Sequence, residues 1–215
     1  MKRLPALLMC IIMVLSLTAC GKGEDTQTNT VPATTQAQTP PPEFQFGATY
    51  GTSYNNETLG IGISLPSGFS VTSNAELATM NGFDETLMTE NLPEAMADTK
   101  RAYIFVATDN AGTYLNIVVE NLKLAGKTFI TGEEYFNLYT DETIKEYEDM
   151  GAQDITLTPS KITIYGVEYN VEIISYTLDG AAESDTRIAF PAGNFMAVMT
   201  IKGDSEVILN RIYGL

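Results

Sequence analysis

Two cysteines, 27 carboxylates, eleven tyrosines and no histidine set the chemistry open to this 215-residue chain. Without histidine, Ser-His and Cys-His nucleophiles and His-ligated metals are excluded. Asp179, Glu183 and Asp185 crowd one loop, and Asp109 and Asn110 another. Calcium takes several oxygen ligands, and extracellular modules hold it at about 10⁻⁴–10⁻³ M. The spacing is not an EF-hand, and a solvated turn is the plainer reading. Glu133, Glu134, Glu142, Glu146, Glu148 and Asp149 load one helical stretch with charge. That makes a solvated outer face or, more sharply, a docking surface for a basic partner. Two carboxylates in one cleft, one with a raised pKa, would make a hydrolase. The tyrosines pack with hydroxyls at the surface or line a groove. Gly60-Ile61-Gly62 is no nucleotide loop, since the third glycine would fall at Leu65 within a strand pattern. No G-x-S-x-G elbow occurs. No catalytic residue, metal site or cofactor is assigned.

The whole composition narrows the classes further. With 12 Lys+Arg the formal charge is -15, and no basic cluster is present. Phosphate contacts need Lys and Arg, so no nucleic acid partner is expected. The hydrophobic fraction of 44% supports a packed core, and the length suits one domain with a tail.

Lys2 and Arg3 precede an apolar run from Leu7 to Leu17. It is too short to cross a hydrocarbon core, which needs about 20 apolar residues. A basic start, a short apolar middle and a small-residue end describe a secretory signal peptide over 1–19. Leu17-Thr18-Ala19-Cys20-Gly21 resembles the lipobox of bacterial lipoproteins. That resemblance implies diacylglycerylation of the Cys20 sulfur and cleavage before it. Two acyl chains anchor stably where one does not. Cys10 leaves with the leader, so the folded part has no thiol, disulfide or Cys-metal site. Residues 20–45 are rich in Thr, Gln and Pro, a composition that reads as a disordered tether spanning roughly 25–30 Å. The expected location is the outer side of the cell membrane, lipid-anchored. Partners are the membrane, through Cys20, and an envelope protein or small ligand.

The globular domain is expected over 46–215. Tyr50–Tyr54 and Leu59–Leu65 read as strands around Asn55-Asn56, and Ser73-Asn74-Ala75-Glu76 as a capping box opening a helix. Ala102–Ala107 reads as a strand buried on both faces, and Tyr114–Glu120 as its return, with Leu115, Ile117 and Val119 on one face. Thr131-Gly132-Glu133-Glu134 opens one long helix whose Phe136, Tyr139, Thr143, Tyr147 and Met150 share a face, with Gly151 as stop. Strands follow at Gln153–Thr158, ended by Pro159, then Lys161–Ile164, Val167–Thr177, Thr186–Phe190 and Phe195–Ile201. A last helix carries Ile208 and Ile212 one turn apart. Short turns require antiparallel neighbours, and strands apolar on both sides require cover on both. The expected class is α/β (α+β): an antiparallel β-sheet flanked by helices on both faces.

Three phrases carry a resemblance: Leu59-Gly60-Ile61 with Leu65-Pro66-Ser67-Gly68-Phe69, then Thr131-Gly132-Glu133-Glu134-Tyr135, then Tyr165-Gly166-Val167-Glu168-Tyr169. The chain resembles the PsbP-like α/β/α sandwich, found in an extrinsic photosystem protein and a Ran-binding import protein. In texture it is similar to lipoproteins of anaerobic Firmicutes with that fold. Phe69 stands where that pattern often has Trp. Each phrase concerns the fold, and no Ran-binding or manganese-cluster surface is matched. The resemblance implies a non-enzymatic binding or accessory module, with a carboxylate hydrolase or a calcium-dependent structural module as alternatives.

Overall fold

A computed structural model describes residues 44–215 except 90, 91, 129 and 204. The expected leader, Cys20 and nearly all of the expected tether lie outside the described residues. The fold has begun by Phe44, ahead of the expected boundary at 46. The Phe44 ring is buried 5.5 Å from that of Phe195, and its carbonyl accepts from the Leu92 amide.

Among the described residues eleven strands and five α-helices follow in order: β1 (Ala48–Tyr50), β2 (Ser53–Asn56), β3 (Ile61–Ser64), β4 (Ser70–Val71), α1 (Asn74–Asn81), α2 (Leu92–Ala95), β5 (Arg101–Thr108), β6 (Tyr114–Asn121), α3 (Gly132–Leu138), α4 (Thr140–Asp149), β7 (Gln153–Ile164), β8 (Val167–Leu178), β9 (Ala181–Ala192), β10 (Phe195–Lys202), α5 (Ser205–Leu209) and β11 (Ile212–Gly214). They form two sheets, in the orders β1-β2-β3-β11 and β4-β5-β6-β10-β9-β8-β7. Every pairing is antiparallel, as the short connections demand.

The two faces of the large sheet can be read along β10. Phe195, Ala197, Met199 and Ile201 point into the main core. That core is closed by Ile61 and Ile63 of the small sheet and by Leu77, Leu92 and Ile208 of α1, α2 and α5. Met196 and Val198 point the other way, against Tyr135, Phe136 and Tyr139. The α/β class, with helices packed against both faces of an antiparallel sheet, is the observed one.

Both capping boxes form. Ser73 and Thr131 accept from the amides of Glu76 and Glu134, whose carboxylates return to the cap amides at 2.9 and 2.7 Å. Gly132 sets α3 close onto the sheet: a Cβ there would stand 2.8 Å from the Ala189 Cβ and 2.9 Å from that of Asn170.

Four local expectations are corrected. Asn55 and Asn56 lie within β2, the turn into β3 falls at residues 57–60, where the Gly60 amide donates to the Glu57 carbonyl at 3.2 Å, and the expected strand Tyr50–Tyr54 is broken by a turn at Gly51, whose φ of +60° suits glycine. The single long helix is two, broken at Tyr139 (φ −107°, ψ 13°), and Met150 is exposed rather than on the packed face. Pro159 does not end a strand. β7 runs through it, because β7 is the outermost strand and Pro159 needs no ladder donor on its open side. Ile212 belongs to β11, which pairs with β3, so the last helix ends earlier than expected.

Candidate functional site

Alternation on strands puts a second, polar set of side chains on the face that α3 and α4 cover. The register aligns them in rows. Arg187 of β9 is opposite both Glu172 of β8 and Thr200 of β10, and Thr200 is opposite Asn116 of β6. Two residues along, Ile174, Asp185, Lys202 and Tyr114 form the next row. In the other direction Val198 is opposite Val118, which is opposite Tyr103 of β5. Glu120 and Arg101 face each other one step further.

Three buried carboxylates hold this layer together. Glu120 accepts from Arg101 Nε at 2.9 Å, from Tyr135 at 3.0 Å and from the Tyr139 hydroxyl. Asp185 accepts from Tyr176 at 3.2 Å and from the Tyr147 hydroxyl, with Lys202 Nζ 3.4 Å away. Glu172 takes Arg187 at 3.2 Å, and Arg187 also donates to the Thr143 hydroxyl at 2.8 Å. Burial raises the Glu172 pKa, with the Arg187 charge opposing. Burial, then the hydrogen bond to Glu120, pushes Tyr139 up to about 12. Tyr176 is likewise pushed up to about 12 by burial and by the charge of Asp185. On this face the expectation that tyrosine hydroxyls reach the surface fails for four of the eleven. Those of Tyr135, Tyr139, Tyr147 and Tyr176 are turned inward because buried carboxylates need donors.

The helix pair stops short of β5 and β6. What remains is a groove of about 860 Å³, floored by Tyr103, Tyr114, Asn116, Val118, Val198 and Thr200. Glu142, Glu146, Asp149 and Met150 wall it from α4, and Met80 and Asn81 of α1 line it too. Asn81 bonds the Tyr103 backbone from both ends of its amide, accepting from N at 2.7 Å and donating to O at 2.8 Å. Asn116 is buried, 8% exposed, and its Oδ1 has no hydrogen-bond partner. Leaving such an acceptor unpaired costs about 1–3 kcal/mol. It is the one side-chain atom so stranded among the described residues.

Sequence reading did not single out Asn116. The signal was the run Tyr114, Asn116, Val118, Glu120 alternating with the apolar face of the same strand. Asn is depleted in strands, so one near the middle of β6 stands out.

The acidic loops do not converge. Asp179 sits in the β8–β9 turn at φ +51°. Glu183 is exposed, whereas Asp185 is buried among its tyrosines. Asp109 accepts from the amides of Ala111 and Thr113 within its own turn. Among the described residues no group of three or more carboxylates is placed to hold a metal ion. The helix acids divide in use: Glu134 caps α3, Glu142 and Glu146 line the groove, and Asp149 also pairs with Lys145 at 2.8 Å. Glu172, the carboxylate with a raised pKa, bonds Arg187 and does not line the groove.

No family model and no curated protein matches the sequence. Among solved structures the chain is similar to the solution structure of cyanobacterial PsbP (CyanoP) from Synechocystis sp. PCC 6803, at 10% identity with a TM-score of 0.47, covering 79% of this chain and 98% of that one. A likeness of that degree says nothing of ligand or partner.

Proposed function

We propose that this chain is a lipid-anchored, extracytoplasmic lipoprotein whose globular domain is a non-enzymatic binding module, with the groove between α4 and β5–β6 as its ligand site. The observation that carries the binding reading is Asn116, an unpaired acceptor at the bottom of an 860 Å³ groove. Folding alone gains nothing from it, whereas a ligand donor would satisfy it. The lipobox resemblance at Cys20 supports the anchoring, as does its likeness in texture to Firmicutes lipoproteins.

Binding is tested by melting the full chain with pooled spent-medium metabolites. A ligand at 100 times its dissociation constant adds about 2.7 kcal/mol, which at this size raises the midpoint by roughly 5–11 °C. No shift from any pool would remove the small-ligand reading and leave a protein partner as occupant. Anchoring is tested separately. With Cys20→Ala the chain is expected to move from the detergent-requiring membrane fraction to the soluble one, because both acyl chains are lost. Retention of the variant in membranes would refute the anchor.

A further inference from the structure

The groove's electrostatics constrain what would satisfy Asn116. Arg101, Arg187 and Lys202 are the cations lining it. Each is held by a buried carboxylate beneath, Glu120, Glu172 and Asp185 respectively. The α4 wall adds three carboxylates: Glu142, bound to Arg101 at 3.2 Å, Asp149, bound to Lys145, and Glu146, 3.9 Å from Arg101. Carboxylates thus outnumber cations in and under the groove, and Glu146 is the wall acid with the weakest internal pairing.

The tyrosines point the same way. Tyr139 carries Lys100 and Arg101 over its ring, at 5.6 and 5.0 Å, and Tyr147 carries Lys202 at 5.5 Å. The fold has therefore already set cations over two of the groove's rings. Among the described residues no cation is placed over Tyr103 or Tyr114, the two rings nearest Asn116 on the sheet. Glu146 lines the same groove as Tyr103 and Tyr114, and after burial and Tyr114 its charge helps raise the Tyr103 pKa. The unpaired Asn116 oxygen, two rings with no cation placed over them and the acidic α4 wall make this part of the groove fit a cation, while the groove's own Arg101, Arg187 and Lys202 are tied to carboxylates. Val118 and Val198 extend the floor as an apolar strip.

Resting on the binding reading above, we infer that the groove takes a small aliphatic cation with N–H donors, a primary ammonium or a guanidinium. Its head donates to Asn116 Oδ1 between Tyr103 and Tyr114, with Glu146 as counter-charge and its stem on Val118 and Val198. Cation–π contact and a charge-assisted hydrogen bond act together on the head. Anions are rejected by Glu142, Glu146 and Asp149.

Four probes with one five-carbon stem separate head from body: n-pentylamine, n-pentylguanidine, 1-pentanol and pentanoate. Each is titrated into the full chain, read by tyrosine fluorescence, since the chain has no Trp. The amine and the guanidine are expected to bind at least tenfold more tightly than the alcohol, with no binding of pentanoate. Asn116→Leu should abolish that preference while keeping the fold, since it exchanges a stranded polar atom for a methyl and is expected to raise the melting temperature. Glu146→Gln should weaken the cations several-fold and leave 1-pentanol unchanged. Equal binding of alcohol and amine, both lost in Asn116→Leu, would overturn the cation assignment and leave the groove reading standing. A lysine-rich peptide binding where neither free cation does would overturn the small-ligand form. Binding of the cations unaffected by Asn116→Leu would overturn both the cation assignment and the groove as the site.

Discussion

Above about pH 10 the domain is expected to lose stability steeply, and its buried tyrosines Tyr54, Tyr135 and Tyr147 to ionise only as it unfolds. Burial raises the pKa of Tyr54, Tyr135 and Tyr147 well above the ordinary value, with acceptance by Glu120 and Asp185 adding to it for the last two. Asn56 opposes part of the shift at Tyr54. A phenol whose pKa is higher folded than unfolded keeps its proton longer in the native state. Between the two values the native chain holds more protons, so stability falls as pH rises. It is fully present below the unfolded pKa of about 10. Each such phenol contributes up to about 1.4 kcal/mol per pH unit. Three together would remove a typical folding free energy of 5–15 kcal/mol within a few pH units. Lys145 and Lys161 also have raised pKa values, but both are exposed and their ion pairs add little. The check is a pH series of melting curves with tyrosinate absorbance followed in parallel. Coincident loss of structure and gain of tyrosinate is the expected result. A smooth tyrosine titration near pH 10, with circular dichroism unchanged, would show that these hydroxyls are open to solvent. Tyr147→Phe should lower the slope by one phenol's share.

These buried phenols also show where sequence reading stops. Local rules suffice where the deciding partner is a few residues away. Ser73 with Glu76 and Thr131 with Glu134 are reciprocal caps within one turn, and both form. Gly151 at φ +90° follows α4 as expected. The antiparallel arrangement also follows from short turns. Pro159 shows the first limit: whether it breaks a strand depends on which side of β7 is empty, and only the strand order of the sheet decides that. Tyr139 shows the second. Its spacing suits a continuous helix, yet the helix breaks there, and its hydroxyl meets Glu120, nineteen residues earlier in the chain. The groove is further out of reach. Asn116 sits between Tyr114 and Val118 in any reading of the strand. That its face stays uncovered depends on α4 packing toward β7 and β8 rather than over β6, which no local pattern specifies.

Removing Glu120 is expected to be the most damaging single change on the helix-covered face. Its carboxylate is 1% exposed and accepts from Arg101, Tyr135 and Tyr139 at once. Breaking a buried charge pair from one side costs about 3–5 kcal/mol, because the partners stay behind without compensation. Glu120→Leu should therefore lower the melting temperature by roughly 6–20 °C at 2–4 °C per kcal/mol. The cause can be separated from simple loss of packing. Tyr135→Phe and Tyr139→Phe each remove a donor from Glu120, and in the natural chain each should destabilise by about 0.5–1.5 kcal/mol, or more where the bond is charged. In the Glu120→Leu background the same hydroxyls have no acceptor there, so deleting them should cost nothing or restore stability. Additive losses across these variants would mean that the carboxylate and the tyrosines act independently. The same cluster holds the wall of the groove, since Arg101 bridges Glu120 to Glu142 of α4. A Glu120→Leu chain that still folds should thus bind amines more weakly, although Glu120 does not line the groove, because α4 has lost the tie that sets Glu142 and Glu146 opposite Tyr103.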